Sequence, residues 1–211
     1  MEHILTLTES NVDVATDEQT ERALPGFTQY RETIYHKYML GRYLYSLKYL
    51  KNKTVLDCAC GLGWGSFLIS DYPKKLLSID LNKNALEFAK KTWKDEELNF
   101  IQHSALDLEG LNNKFDVILA FELIEHLQIS DGVKLFQQAN QALTENGLMI
   151  LSSSFPSSQK SARRKEQRNK FHLHIYTKEE MKDLLTKSGF SKPRFLGSFM
   201  LVAANRKNSK S

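Results

Sequence analysis

The sequence predicts an α/β fold: a doubly wound, mostly parallel sheet of seven strands that ends in an antiparallel C-terminal hairpin. Three observations predict it. From residue 54 onward, short apolar, β-branched runs alternate with stretches whose apolar residues recur at helical spacing. The first run leads straight into a glycine-rich turn, VLDCACGLGWG, as where a strand hands over to a helix beside a ligand. The last two runs, PRFLGS and FMLVAAN, have no helix between them and are expected to pair antiparallel at the sheet edge. Together these features describe a Rossmann-like arrangement.

In chain order, RETIYHKYMLGRYLYSLKYL (31–50) reads as an aromatic-rich helix that packs on the domain and covers the ligand crevice. Strands are expected at 54–59, 75–80, 99–104, 115–120 and 148–154. NKNALEFAKKTW (82–93) and DGVKLFQQANQAL (131–143) carry the helical period, the second stopping near Asn146-Gly147. TKEEMKDLLTKSGF (177–190) has Thr177 as N-cap, Glu180 completing a capping box and Gly189 as its stop. The expected organisation is a flexible segment over 1–29, one domain over 30–204 and a disordered tail over 205–211.

With 41% hydrophobic and 26% charged residues, the composition is that of a soluble globular protein. No apolar run approaches the roughly 20 residues of a membrane span, and the first residues lack the basic-then-apolar layout of a signal peptide, so a cytoplasmic location is expected. Cys58 and Cys60 are too few and too close for a disulfide framework or a four-cysteine zinc site. The net charge of +4 suits an acidic ligand without demanding nucleic acid.

The chemistry concentrates at the strand ends. In such sheets ligands bind beyond the carboxyl ends of the strands near the switch point, and an acid after the second strand, here Asp80, bonds the hydroxyls of a ribose. A dinucleotide fold prefers Gly-x-Gly-x-x-Gly. Here Gly61, Gly63 and Gly65 are spaced more tightly, and Asp57 precedes them, where a carboxylate repels a pyrophosphate and attracts a cation.

The segments VLDCACGLGWG, LLSIDLN, FDVILAFELIEHL and NGLMILSSSFP resemble the successive motifs of class I S-adenosylmethionine-dependent methyltransferases, over roughly residues 30 to 204. The resemblance implies that Asp57, Ala59, Gly61 and Gly63 hold the methionine end of the cofactor and that Asp80 and Leu81 hold its ribose. By the same resemblance Ser104 and Ala105 lie beside the adenine, where many relatives carry an acid in place of Ser104, and Phe121 flanks the sulfonium. ERALP followed by GRYLYSLKYLKNKTVLD is similar to methyltransferases encoded with cell-surface glycan and sugar pathways. That likeness implies that Arg42 or Tyr30 meets the cofactor's carboxylate; a helix-surface cation is the alternative for Arg42.

FELIEHL follows the fourth strand. On a helical turn, Glu122, Glu125 and His126 share one face. The pattern resembles the metal-binding motif of ubiquinone-pathway O-methyltransferases and of small-RNA 3′-terminal 2′-O-methyltransferases. In the RNA enzymes a further histidine completes the site, and FHLHIYT supplies His172, with His174 ranked second. The implied ligands, Glu122, Glu125, His126 and His172, suit Mg²⁺ or Mn²⁺. Two other readings stay open: His126 as a metal-free base beside Glu122, or helix N-terminal acids with a packed histidine.

The expected activity is O-methylation of a sugar, nucleotide-sugar or similar small hydroxylated metabolite. The alternatives are 2′-O-methylation of RNA 3′ ends and a non-catalytic cofactor-binding protein. The basic run QKSARRKEQRNK (159–170) reads either as a solvated loop or as a lid that meets a phosphate-bearing acceptor.

Overall fold

Seven strands form one sheet: β1 (Thr54–Cys58), β2 (Lys75–Asp80), β3 (Leu98–Gln102), β4 (Phe115–Phe121), β5 (Leu143–Ser152), β6 (Arg194–Leu196) and β7 (Met200–Ala204). Their order is β3-β2-β1-β4-β5-β7-β6. The first five are parallel, and β7 runs antiparallel to both β5 and β6. The order of strands reverses between β1 and β4, so the connections leave them in opposite directions and open a crevice at their carboxyl ends. The computed structural model describes residues 34–95, 97–191 and 193–205, so Tyr30, the 1–29 segment and residues 206–211 lie outside the described residues.

Alternation along the strands sorts side chains into two cores. Val55, Val117 and Leu119 face α1 (Ile34–Leu50), α2 (Trp64–Ile69) and α3 (Lys83–Thr92). Leu56, Ile118 and Ala120 face α4 (Ile129–Ala142) and α6 (Lys178–Lys187). These strand residues are at most 3% exposed, and burying each large one stabilises the fold by about 1.5–3 kcal/mol. The capping box of α6 forms as expected, Thr177 accepting from the Glu180 amide while the Glu180 carboxylate accepts from that of Thr177. Gly189, at φ +88°, ends that helix in a Schellman motif, its N–H bonding Thr186 O while that of Phe190 bonds Leu185 O. Among the described residues, no helix is long and apolar enough to cross a membrane.

The structure departs from the sequence expectations in five places. α4 stops at Ala142, and Asn146-Gly147 lies instead in a bulge of β5, which starts at Leu143 because that residue pairs with Phe115 before the register shifts. β3 spans 98–102, so Ser104 and Ala105 sit in the following turn. Glu122 does not begin a helical turn: it leaves β4 at φ +49°, and only Ile124–His126 forms a 3₁₀ turn. The basic run is a helix, α5 (Gln159–Glu166), capped by Ser158, rather than a loop. Asn205, placed in the tail by sequence, is buried; its amide bonds Gly147 O and its side chain bonds Asn140 and Thr144.

Candidate active site

The β1–α2 loop takes positive φ at Ala59 (+56°), Gly61 (+56°) and Gly63 (+75°), a conformation that costs a residue with a side chain roughly 1–2 kcal/mol. The glycines differ in purpose. A Cβ on Gly61 would meet nothing within 4 Å, so the loop there faces open space. A Cβ on Gly63 would lie 2.7 Å from Ala89 and 2.8 Å from Phe100, and one on Gly65 would lie 2.0 Å from the Tyr43 ring. Gly63 and Gly65 therefore serve packing, and only Gly61 fronts a ligand space.

Asp80 ends β2, and its two oxygens accept from the amides of Gly61 and Asn82, each at 2.8 Å, which ties the glycine loop to the second strand. Leu81 follows at 67% exposure, its carbonyl accepting from Gln102 Nε2. Ser104 Oγ accepts from the Leu106 amide. Asp80, Leu81, Ser104 and Ala105 thus occupy the carboxyl edge of β2 and β3.

Asp57 lies beneath the loop at 1% exposure. Ser66 Oγ donates to it at 2.7 Å and Tyr43 OH at 3.2 Å. Burial pushes its carboxyl up to about 7, although the two hydroxyls and Arg42 pull the other way. Burial and the Asp57 charge also push the Tyr43 phenol well above its ordinary value. Sequence reasoning missed Tyr43 and Ser66, although Tyr43 sits beside Arg42 in the aromatic helix and Ser66 one residue after the glycine turn.

A cavity of about 1220 Å³ opens above Ala59–Leu62, with walls from α1, the ends of β4 and β5, the segment from α5 to His172, and the β6–β7 turn. Arg42 and Glu122, for which sequence implied separate ligands, pair with each other here at 2.9 Å, and Ser152 Oγ donates to Glu122 at 2.7 Å. Phe121 forms an edge contact with Tyr43 and lies 6.0 Å from the Arg42 guanidinium.

Glu125, His126 and His172 converge, with ligand atoms within 4.8 Å of one another; Glu122 is not in that group. His174 is not in it either: it turns to Glu166 at 3.3 Å. Glu125 is 2% exposed, its carboxyl raised well above the ordinary range by burial and then by the nearby Glu122 charge, and its Oε2 accepts no hydrogen bond. His126 Nδ1 lies 3.0 Å from Phe171 O. A carbonyl only accepts, so Nδ1 carries the proton and Nε2 is the lone-pair nitrogen of the neutral ring. The chain crosses back to hold this geometry, the Leu173 amide bonding Glu125 O at 2.8 Å. A buried carboxylate oxygen without a donor, beside two imidazoles, fits a divalent cation.

A family model described as a methyltransferase domain matches residues 55–147, from β1 to the bulge of β5. A "Probable S-adenosylmethionine-dependent methyltransferase" of Mycobacterium tuberculosis is 25% identical over 151 residues, 70% of this chain and 52% of that protein. A ubiquinone biosynthesis O-methyltransferase of Pelagibacter ubique is 32% identical over 108 residues, 50% of this chain and 44% of that protein. The chain spans about half the length of these curated relatives. A crystal structure of magnesium protoporphyrin IX methyltransferase from Synechocystis, with bound S-adenosylhomocysteine, superposes with a TM-score of 0.66 at 15% identity, covering 92% of this chain and 91% of that one. Over residues 55–147, which carry the glycine loop, Asp80 and the Glu122–His126 turn, the chain is thus similar to a methyltransferase domain, and the sheet has the strand order on which the crevice at β1 and β4 depends.

Proposed function

We propose that this domain transfers the methyl group of S-adenosylmethionine to a hydroxyl oxygen of a sugar, nucleotide-sugar or similar small acceptor, assisted by a divalent cation held by Glu125, His126 and His172. The observation that carries the reading is the opening of the Gly61 loop and of this three-residue cluster onto one cavity. Bound S-adenosylmethionine supplies an electrophilic methyl group whose leaving group is a neutral thioether. A bound divalent ion lowers the pKa of an acceptor hydroxyl and fixes its direction.

The chain's own groups do the rest. Gly61 gives the methionine end close access to the backbone, and Asp57 acts from below by orienting Tyr43 and Ser66. Asp80, tied to the loop, faces the ribose hydroxyls, and exposed Leu81 offers an apolar surface to the adenosine beside Ser104 and Ala105. Phe121 flanks the methyl group and helps exclude water. Glu122 is held by Arg42 and Ser152, so it shapes the cavity floor, and Arg42 is positioned by Glu122 rather than presented alone to a carboxylate. His126, its Nδ1–H anchored on Phe171 O, presents Nε2 as ligand, or as base to take the hydroxyl proton.

The test is a methyl-transfer assay against nucleotide sugars, catechols and short RNAs, with and without chelator. Transfer to a small hydroxylated acceptor that chelator abolishes and Mg²⁺ or Mn²⁺ restores supports the reading. Transfer in excess chelator would leave His126 as a metal-free base, and transfer to RNA 3′ ends alone would replace the acceptor class.

A further inference from the structure

The cavity wall carries two cations apart from the Gly61 loop and the Glu125, His126, His172 cluster. Lys165, near the end of α5, and Arg168, just past it, both line the cavity that Glu125, His126 and His172 share. Among the described residues neither has a carboxylate within ion-pair distance. The neighbouring acid, Glu166, is turned away: its Oε1 accepts from the Ile175 amide at 2.8 Å and lies 3.3 Å from His174. Arg42 has its own counter-ion in Glu122. Lys165 is half-buried, donates to Ser154 Oγ, and holds its ammonium 5.5 Å from the Phe199 ring, so its charge points along the cavity wall rather than into bulk water. Arg163 and Arg164, in the same basic run, are exposed and do not line the cavity.

We propose that the methyl acceptor carries an anionic group, a phosphate or a carboxylate, gripped by Lys165 and Arg168 while its hydroxyl reaches the Glu125, His126, His172 cluster. This inference rests on the methyl-transfer reading above. The chemistry of the pair is complementary: the Arg168 fork matches two oxygens of one carboxylate or phosphate, and Lys165 adds a compact point charge with Ser154 as a neighbouring hydroxyl. Tyr38 and Phe199 line the same cavity with ring centroids 4.8 Å apart, an apolar platform for a ring-bearing body. A polynucleotide would engage the exposed Arg163 and Arg164 as well; Lys165 and the exposed Arg168, the two that line the cavity, suit a single anionic group.

The test is calorimetry on the full chain with S-adenosylhomocysteine, phenyl phosphate, benzoate, neutral catechol and a short RNA. Phenyl phosphate or benzoate is expected to bind at least tenfold more tightly than catechol, and the tighter of the two names the acceptor's anionic group. Lys165→Gln with Arg168→Gln should erase that preference while S-adenosylhomocysteine affinity and Tm stay as in wild type. Arg163→Gln with Arg164→Gln should leave the preference in place. Equal affinity of wild type for anionic and neutral probes, or a preference that survives in the Lys165→Gln/Arg168→Gln variant, overturns the proposal. So does binding of RNA without either small anion. If S-adenosylhomocysteine does not bind, the methyl-transfer reading falls, and the anion titrations, run without it, still decide the role of Lys165 and Arg168.

Discussion

Asp57→Asn should change how stability depends on pH. Burial holds the Asp57 carboxyl at about 7 in the folded chain against an ordinary value of 3.8. The fold therefore prefers the neutral acid, and the folded chain binds more protons than the unfolded one between those two values. Stability from this group is fully present below the ordinary carboxylate range and is lost as pH rises to about 7, a total of about 4 kcal/mol at 1.36 kcal/mol per pH unit. Asparagine keeps an oxygen for the Ser66 hydroxyl and cannot ionise. Urea unfolding of wild type and Asp57→Asn should give closely similar free energies near pH 4, and a variant more stable by about 4 kcal/mol near pH 8. Every other carboxylate titrates in both proteins, so the difference isolates Asp57. A difference that does not grow between these pH values would refute the reasoning. The variant should also bind S-adenosylhomocysteine less well, because the charge that costs stability attracts the amino group of the ligand.

Gly61→Ala should cost about 1–2 kcal/mol of stability from its positive φ and sharply weaken S-adenosylhomocysteine binding. Gly65→Ala should cost about 1–3 kcal/mol or more by driving into the Tyr43 ring; calorimetry and thermal melts separate the two effects. Glu125→Gln removes a charge that burial and the neighbouring Glu122 disfavour, so in chelator its Tm should rise above that of wild type, while the Tm increase that Mn²⁺ gives wild type should vanish. A variant that melts below wild type in chelator, or still responds to Mn²⁺, would count against the cluster. Thr177→Ala should lose about 0.5–2 kcal/mol with the capping box, read by denaturant midpoint.

The strands, the switch point and the glycine loop were legible because each rests on local signals: β-branched runs, helical periodicity and turn residues. The helix starts at Asn82 and Thr177 were legible because a capping side chain precedes an apolar period; Ser158 also caps α5, but its run of charged residues hides the helix behind it. The failures at β5, at Glu122 and beneath the glycine loop share a cause, since each needed a partner distant in sequence. β5 begins at Leu143 because Phe115 is there to pair with it, and Asn146-Gly147 becomes a bulge rather than a helix end. Glu122 and Glu125 looked equivalent at helical spacing. The left-handed turn at Glu122 sends one to Arg42, 80 residues earlier in the chain, and leaves the other buried with His126 and His172. The Asp57–Tyr43–Ser66 contacts were likewise invisible, because nothing in the sequence says which face of α1 meets β1.

The central claim is that the crevice beyond β1 and β2 holds S-adenosylmethionine, and the most direct measurement is calorimetric titration of the full chain with S-adenosylhomocysteine in excess chelator. One site per chain is expected, with affinity retained without metal and a marked loss in Gly61→Ala and Asp80→Ala, the latter by about 1.5–3 kcal/mol for a hydrogen bond to a charged group. No binding by wild type, or affinities unchanged in both variants, would contradict it.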